Sequence, residues 1–391
     1  MKLRASLWAL MFGNLAIGTG VMIVAGVLSE LAADLAISPP VAGQLISAAA
    51  IVMALGAPIA AATTSRFDRR LLLAATLAWY AAGLIASALA SSFPQLLGLR
   101  MATVISAAIF TPQAAATAAL LAPPEARGRA MAFTFLGWSI ASVFGVPVGS
   151  WLAGAFGWRT AFVVTGLLAG AGSVAVALTL PSGLRVERLS LQSWADVARH
   201  PLLPSVLVVT VLMASGQFGV FAFIAPYLLW LVDADPTGRA VALAWFGAFG
   251  LLGNVLVARR IDKLGPDRAV QLTLTSVLIG VAFLPAGKGL MLAAALALAV
   301  WGLGLFGSNS SQQVRLAEIA PSLASASIAL NTSAIYLGQA IGTVGGGVVY
   351  AHLGIDYLSW FALALIALAL MLSLNVSRRR KQIGPVTDPA H

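Results

Sequence analysis

Twelve times along its 391 residues this chain runs for about the length of a bilayer crossing with few or no charged residues. The runs lie near residues 6 to 28, 40 to 63, 71 to 91, 94 to 121, 129 to 153, 160 to 180, 204 to 231, 239 to 258, 269 to 286, 290 to 312, 324 to 350 and 357 to 376. A helix rising 1.5 Å per residue needs roughly 20 apolar residues to cross a hydrocarbon core of about 30 Å. Inside lipid each peptide group must find its partner within the protein, which leaves helices or closed barrels, and runs this long select helices. With 60% hydrophobic and 9% charged residues, the chain lacks the polar surface that a water-soluble protein of this size presents. The expected fold class is therefore an all-α membrane protein with twelve transmembrane helices. Lys2 and Arg4 could open a signal peptide, but the run that follows exceeds a signal's apolar region and reads as the first span.

Lys and Arg residues fall between the runs with a strong bias. Assigned alternately to two sides, Lys2, Arg4, Arg66, Arg69, Arg70, Arg127, Arg129, Arg185, Arg188, Arg199, Arg259, Arg260, Lys263, Arg268, Arg315, Arg378, Arg379, Arg380 and Lys381 share one side. Only Arg159, Arg239 and Lys288 fall on the other, and Arg100 alone is left inside a span. Positive loops stay in the cytoplasm, so both termini are expected there. The formal charge of +10 thus reads as a topology signal, and no nucleic-acid partner is expected.

Several chemistries lack their residues. There is no Cys, and His200, His352 and His391 are far apart, so neither a metal cluster nor thiolate catalysis is expected. Gly287-Lys288-Gly289 lacks the hydroxyl residue and glycine spacing of a nucleotide-binding loop. No cofactor and no enzymatic activity are expected.

The chain also repeats itself. Gly56 through Ser65-Arg66-Phe67-Asp68-Arg69-Arg70 precedes Gly253 through Asp262-Lys263-Leu264-Gly265-Pro266-Asp267 by 197 positions. The same offset carries Gly145, Gly149 and Gly157 onto Gly342, Gly346 and Gly354. Two separated patches at one offset indicate parallel repeats, an arrangement in which substrate binds between halves near the midplane. We expect two six-helix bundles, residues 1–180 and 204–377, joined by a cytoplasmic linker at 181–203 and followed by a cytoplasmic tail at 378–391. In the linker Leu189, Leu191, Trp194 and Val197 have the spacing of a short interfacial helix.

The most distinctive motif is Gly137-Trp138-Ser139-Ile140-Ala141-Ser142-Val143-Phe144-Gly145-Val146-Pro147-Val148-Gly149-Ser150, followed by Gly157-Trp158-Arg159-Thr160-Ala161-Phe162. Gly145 and Gly149 let a neighbouring helix approach, and Pro147 removes a backbone hydrogen bond and permits a bend. The run resembles the fifth-helix motif G-x-x-x-G-P-x-x-G-G of the major facilitator superfamily, in its twelve-helix drug:proton antiporter branch. Val146 stands between Gly145 and Pro147, and Ser150 replaces the last glycine. Arg127-Gly128-Arg129-Ala130, Phe223-Ile224-Ala225-Pro226-Tyr227 and Leu330-Asn331-Thr332-Ser333 extend the likeness toward the bacterial sugar, arabinose and purine efflux permeases.

That resemblance implies a conformational switch at Arg66, Asp68 and Arg70, at Gly145, Pro147 and Gly149, and at Asp262, Lys263 and Gly265. Ser65 occupies the position where the family's loop signature carries an acid, whereas Asp262 keeps the pattern. The resemblance also implies a role for Arg100 in proton transfer or substrate charge, with snorkelling to the interface as the plainer alternative. Val21 stands where the first helix of relatives often carries an acid, so no carrier for a coupled proton can be named. Mixed amide and aromatic positions at helical spacing suit a cavity, or equally interhelical packing. The candidate substrate-binding residues are Asn14, Arg100, Gln217, Phe221, Tyr227, Trp301, Asn309, Gln312, Asn331 and Gln339. The expected function is a secondary active transporter, a proton-coupled exporter of a small organic molecule or drug. The alternatives are an uptake permease or facilitator and, more remotely, a non-transporting membrane protein. A monomer is the usual state in the superfamily.

Overall fold

The need to satisfy every peptide group in lipid is met by long helices throughout. The computed structural model describes residues 2–123, 126–184 and 191–383. Among these there is no strand, and twelve helices are long and apolar enough to cross a membrane. We label them α1 (Arg4–Gly26), α2 (Pro39–Ala60), α3 (Arg69–Ala88), α4 (Phe93–Leu121), α5 (Arg129–Phe156), α6 (Trp158–Thr179), α7 (Leu203–Phe221), α8 (Pro236–Leu264), α9 (Pro266–Gly287), α10 (Met291–Ile319), α11 (Ala326–His352) and α12 (Ile355–Gln382). A short helix, Leu28–Asp34, follows α1, and another, Leu191–Arg199, precedes α7. Val197 of the latter is fully buried in a cluster with Leu203, Val206 and Leu316. Arg185, Arg188 and Leu189 of the expected linker, and residues 384–391 of the expected tail, lie outside the described residues.

Three boundaries differ from expectation for identifiable reasons. The seventh span, expected at 204 to 231, stops at Phe221 and restarts as Ile224–Val232. Pro226 would clash with the carbonyl four residues earlier, that of Ala222, so the helix cannot run through that turn. The tenth span continues beyond residue 312 to Ile319 and takes Arg315 with it. The last helix, expected to end at 376, continues to Ile383, so Arg378 to Lys381 of the expected tail form its closing turns.

The chain divides into two compact units. One gathers α1 to α6 with Phe221–Ala248; the other gathers α7 up to Val220 with Phe249 onward through α12. In the first unit α1 is the central element, and α5 lies along it on small residues. A Cβ built on Gly137 would stand 2.3 Å from the carbonyl oxygen of Met11, one on Gly145 2.1 Å from Thr19 Oγ1, and one on Gly149 2.4 Å from Ile23 Cδ1. Ser150 closes the seam by donating to the Gly26 carbonyl at 2.9 Å. Mid-seam, Ala141–Gly145 forms a π-helical turn in which the Val146 N–H reaches back five residues to Ala141. This wider turn lies directly before Pro147, where a proline in lipid most needs local adjustment of the backbone.

The second unit repeats this seam between α7 and α11. A Cβ on Gly342 would meet the Ser215 carbonyl oxygen at 2.2 Å, and one on Gly346 the Gly219 carbonyl oxygen at 2.5 Å. The polar crossings also correspond, Thr134 to Asn331 at the 197-residue offset and Asn14 to Thr210 one residue short of it. Asn14 Nδ2 of α1 donates to the Thr134 carbonyl of α5, and Thr210 Oγ1 of α7 donates to Asn331 Oδ1 of α11. Gly157 and Gly354, another pair at that offset, both have positive φ (+86° and +108°) in the turn leading to the next helix. Large apolar side chains such as Leu55, Leu71, Leu178 and Leu292 point outward, as lipid requires.

Replacing Gly137 by Ala should therefore cost about 1–3 kcal/mol through overpacking against backbone atoms that cannot yield. Thermal unfolding in detergent would measure it, with Gly98→Ala, where a Cβ meets nothing within 4 Å, expected to be neutral or slightly stabilising.

Candidate functional site

Arg100 is buried in the first unit, with 1% of its surface exposed. It does not snorkel: Nη2 donates to the Val21 carbonyl of α1 at 3.0 Å, and the Tyr80 hydroxyl of α3 lies beside the guanidinium. Among the described residues Nε and Nη1 have no hydrogen-bond partner. Tyr80 is itself held by donating to the Ile17 carbonyl, and a Cβ on Gly20 would meet its hydroxyl at 2.4 Å. The bulk and polarity of this corner thus come from α3 and α4, against a segment of α1 kept thin by Gly20. Val21 contributes its carbonyl where the family resemblance would place a carboxylate. What remains is a fixed positive charge with donors to spare.

The other candidates of this unit stand apart from Arg100. Asn14 lies two turns earlier on α1, fully buried, with Oδ1 unpartnered. Phe221 stacks on Phe246 with centroids 5.7 Å apart, and buried Tyr227 tilts against Trp230 at 5.4 Å.

In the second unit three candidates come together. Asn331 Nδ2 donates to Asn309 Oδ1 at 3.1 Å, while Gln312 Nε2 donates to the Val206 carbonyl and to Thr210 Oγ1, both at 3.1 Å. Thr210 links the two by its bond to Asn331. Among the described residues Gln312 Oε1 is left as a buried acceptor without a partner, as is Gln217 Oε1 further along α7. The cluster is uncharged and spans α7, α10 and α11. Gln339 is buried elsewhere on α11, and Trp301 packs at the α9–α10 crossing, where a Cβ on Gly280 would stand 2.3 Å from its backbone nitrogen.

Charge collects at helix ends, and here the sequence reading missed the principal partners. Arg315, expected in a loop, is fully buried in α10. Its Nε forms an ion pair with Asp267 Oδ1 at 2.7 Å, and Nη1 and Nη2 reach Ser373 and Ser377 of α12 at 3.0 Å. Arg380 bridges Asp267 and Glu318, at 3.1 Å each. The positive φ of Gly265 (+75°) turns the chain into α9, with Pro266 opening the helix and Asp267 in its first turn, where an anion suits the helix dipole. The expected switch residues Asp262 and Lys263 are exposed at the end of α8. The i, i+3 spacing of Gln312 and Arg315 was the available signal, since it puts both on one helix face.

In the first unit Arg66 and Arg70 are exposed, and buried Arg69 does the bonding: Nη1 to Gln113 Oε1 at 2.6 Å and Nη2 to the Thr64 carbonyl at 3.1 Å. Asp68 caps α3 by accepting from Leu71 N–H, and it also accepts from Gly183 N–H. Partial burial pushes its pKa up, but these N–H donors with that of Arg70 outweigh burial and hold it below the usual value. At the opposite ends of the helices Glu30 pairs with buried Arg239 of α8. Asp34 accepts from Trp158 Nε1 at 3.0 Å and from Arg159 at 2.5 Å, and these two bonds lower its pKa.

Two outcomes follow. Asp267→Asn should destabilise by about 3 kcal/mol, because Arg315 stays charged and buried; pairing Asp267→Leu with Arg315→Met should recover most of that loss, both read by thermal unfolding. For Asp34 the depressed folded value means that its stabilisation is complete above about pH 4 and is lost as pH falls through the lower folded pKa. Asp34→Asn should accordingly flatten the decline of melting temperature below about pH 4.

Residues 10–343 match the family model for the Major Facilitator Superfamily. The inner membrane transport protein YdhP of Escherichia coli O157:H7 is 30% identical over 385 residues, 98% of each chain. A probable sugar efflux transporter of Mannheimia succiniciproducens is 24% identical over 360 residues, 92% of this chain and 90% of its own. Among solved structures, a bacterial homologue of the human lysosomal transporter Spinster shares the fold with a TM-score of 0.78 at 16% identity, covering 100% of this chain and 99% of that one. A twelve-helix chain with glycine seams at matching positions of its two halves and no catalytic constellation among the described residues belongs, on these matches, to the Major Facilitator Superfamily of membrane transporters.

Proposed function

We propose that this transporter is an exporter of a small organic solute, uncharged or weakly anionic, working by proton antiport across a bacterial inner membrane with both termini in the cytoplasm. The observation that carries the substrate reading is the buried Arg100 guanidinium, whose Nε and Nη1 have no hydrogen-bond partner among the described residues. The acidic residues among those described stand at span ends or between spans, so a cationic solute would find no carboxylate within the described spans away from their ends. The buried acceptors of Gln217 and Gln312 suit a hydroxyl-bearing or amide-bearing solute. The sugar efflux relative supports the outward direction, and the Lys/Arg asymmetry supports the orientation. Two states of unequal affinity for the solute are what alternating access requires.

For the coupled proton our candidate is Glu30, whose Oε2 is buried and unpartnered while its other oxygen meets Arg239. A carboxylate that alternates between an arginine and a proton can tie proton release to a change of state.

Proteoliposomes with an imposed pH gradient test the whole reading against sugars, nucleosides, weak organic acids and organic cations. Neutral or anionic solutes should move and cations should not; transport confined to cations, or none in any class, would sink it. Arg100→Gln should weaken the transported solute's apparent affinity at least tenfold without lowering the melting temperature. Glu30→Gln should keep solute exchange at equal pH while losing stimulation by the gradient.

A further inference from the structure

A groove of about 320 Å³ lies in the second unit between the start of α9 and the end of α12, away from the solute-binding candidates. Its walls are Leu272 and Thr275 of α9 and Leu370 and Leu374 of α12, with Arg268 and Gln271 toward the basic end. Leu272 is 58% exposed and Leu374 40% exposed, so apolar wall is left uncovered by protein. Around a spanning helix pair, acyl chains are what cover it.

The polar end is one-signed. Arg378 stands four residues after Leu374 on the same face of α12, and helical side chains lean toward the N terminus, which brings it back over that leucine. Arg268 stands four residues before Leu272 on α9. Both arginines are exposed, and no hydrogen bond or ion pair ties either to another described residue. The carboxylate beside Arg268 in the chain, Asp267, is already committed to Arg315 and Arg380. Gln271 is fixed in place by its bond to Ser377 at 2.9 Å, so the groove floor is built and not fluid. Guanidinium groups match a phosphate's oxygens with paired N–H donors. A zwitterionic headgroup would bring its own cation against this pair of arginines, whereas an anionic one brings none.

We propose that this α9–α12 groove binds one anionic phospholipid, its phosphodiester between Arg268 and Arg378 and an acyl chain along Leu272, Leu370 and Leu374. Basic groups close to a membrane surface each strengthen attraction to anionic lipid by about fivefold, so two together give roughly an order of magnitude or more.

Native mass spectrometry of the full chain in detergent, with phosphatidylglycerol and phosphatidylcholine at equal concentration, tests this directly. One phosphatidylglycerol should be retained in preference to phosphatidylcholine by about tenfold, and Arg268→Gln with Arg378→Gln should abolish that preference while the protein still unfolds cooperatively. Leu374→Trp, which fills the groove and keeps both arginines, should also lose the retained lipid. Equal retention of the two lipids by the unaltered chain, or a preference unchanged in the double variant, overturns the proposal. So does stabilisation by inorganic phosphate equal to that by phosphatidylglycerol, since the site would then recognise a free anion. If Leu374→Trp fails to fold, the exposed arginine pair still decides the matter.

Discussion

A guanidinium does not give up its proton inside a protein, so each one taken out of water needs oxygen atoms around it. Four arginines of this chain, Arg69, Arg100, Arg239 and Arg315, are at most 5% exposed, and much of the architecture can be understood from how each is accommodated. Arg239 and Arg315 have carboxylates, Glu30 and Asp267. Arg69 has the Gln113 amide and a backbone carbonyl, and Arg100 has the Val21 carbonyl with a neighbouring phenol. Three of the four join elements from different stretches of sequence near helix ends. Arg100 is the exception, bound to the side of a helix with neither a carboxylate nor an amide beside it; Arg239 also keeps Nε and Nη1 unused, but next to Glu30.

The large features were legible because their causes are local. Twelve apolar runs predict twelve helices whatever their neighbours do, and a one-sided distribution of Lys and Arg orders the loops. The glycine motif around Pro147 was also legible, since a helix with glycines four apart must lie against something close. The chain places α1 there, and the π-helical turn at Ala141–Gly145 adjusts the backbone just ahead of the proline. What stayed hidden were the partnerships between distant residues. Arg315 looked like a loop cation because the apolar run fades near residue 312, yet Asp267 and two serines of α12 make it affordable to continue the helix for two more turns. Likewise Trp301 shares helical spacing with Gln312 but serves the α9–α10 contact, because Gly280 opens a place for it.

The repeat detected as an offset of 197 positions has a physical content that spacing alone could not supply. Asn14 meeting Thr134 and Thr210 meeting Asn331 place a polar contact at the same level of two equivalent helix crossings. On the C-terminal side of each contact, glycines bring the helices together in both units. The repeats have diverged where charge is concerned: the first half puts the arginine on α3 against a neutral amide, and the second puts the carboxylate on α9 against an arginine of α10. The packing scheme was retained while the electrostatics were rewritten.

The α1–α5 seam also bears on how such a chain can change over evolutionary time. At Gly137, Gly145 and Gly149 the space for a side chain is already taken by atoms of α1, so drift at these positions is blocked from both helices at once. Any new residue on α1 at Asn14, Thr19 or Ile23 must likewise respect a neighbour that has no side chain to move aside. Diversification is thereby channelled onto the remaining faces of these helices, where a substitution can alter what the protein carries without first having to rebuild what it is.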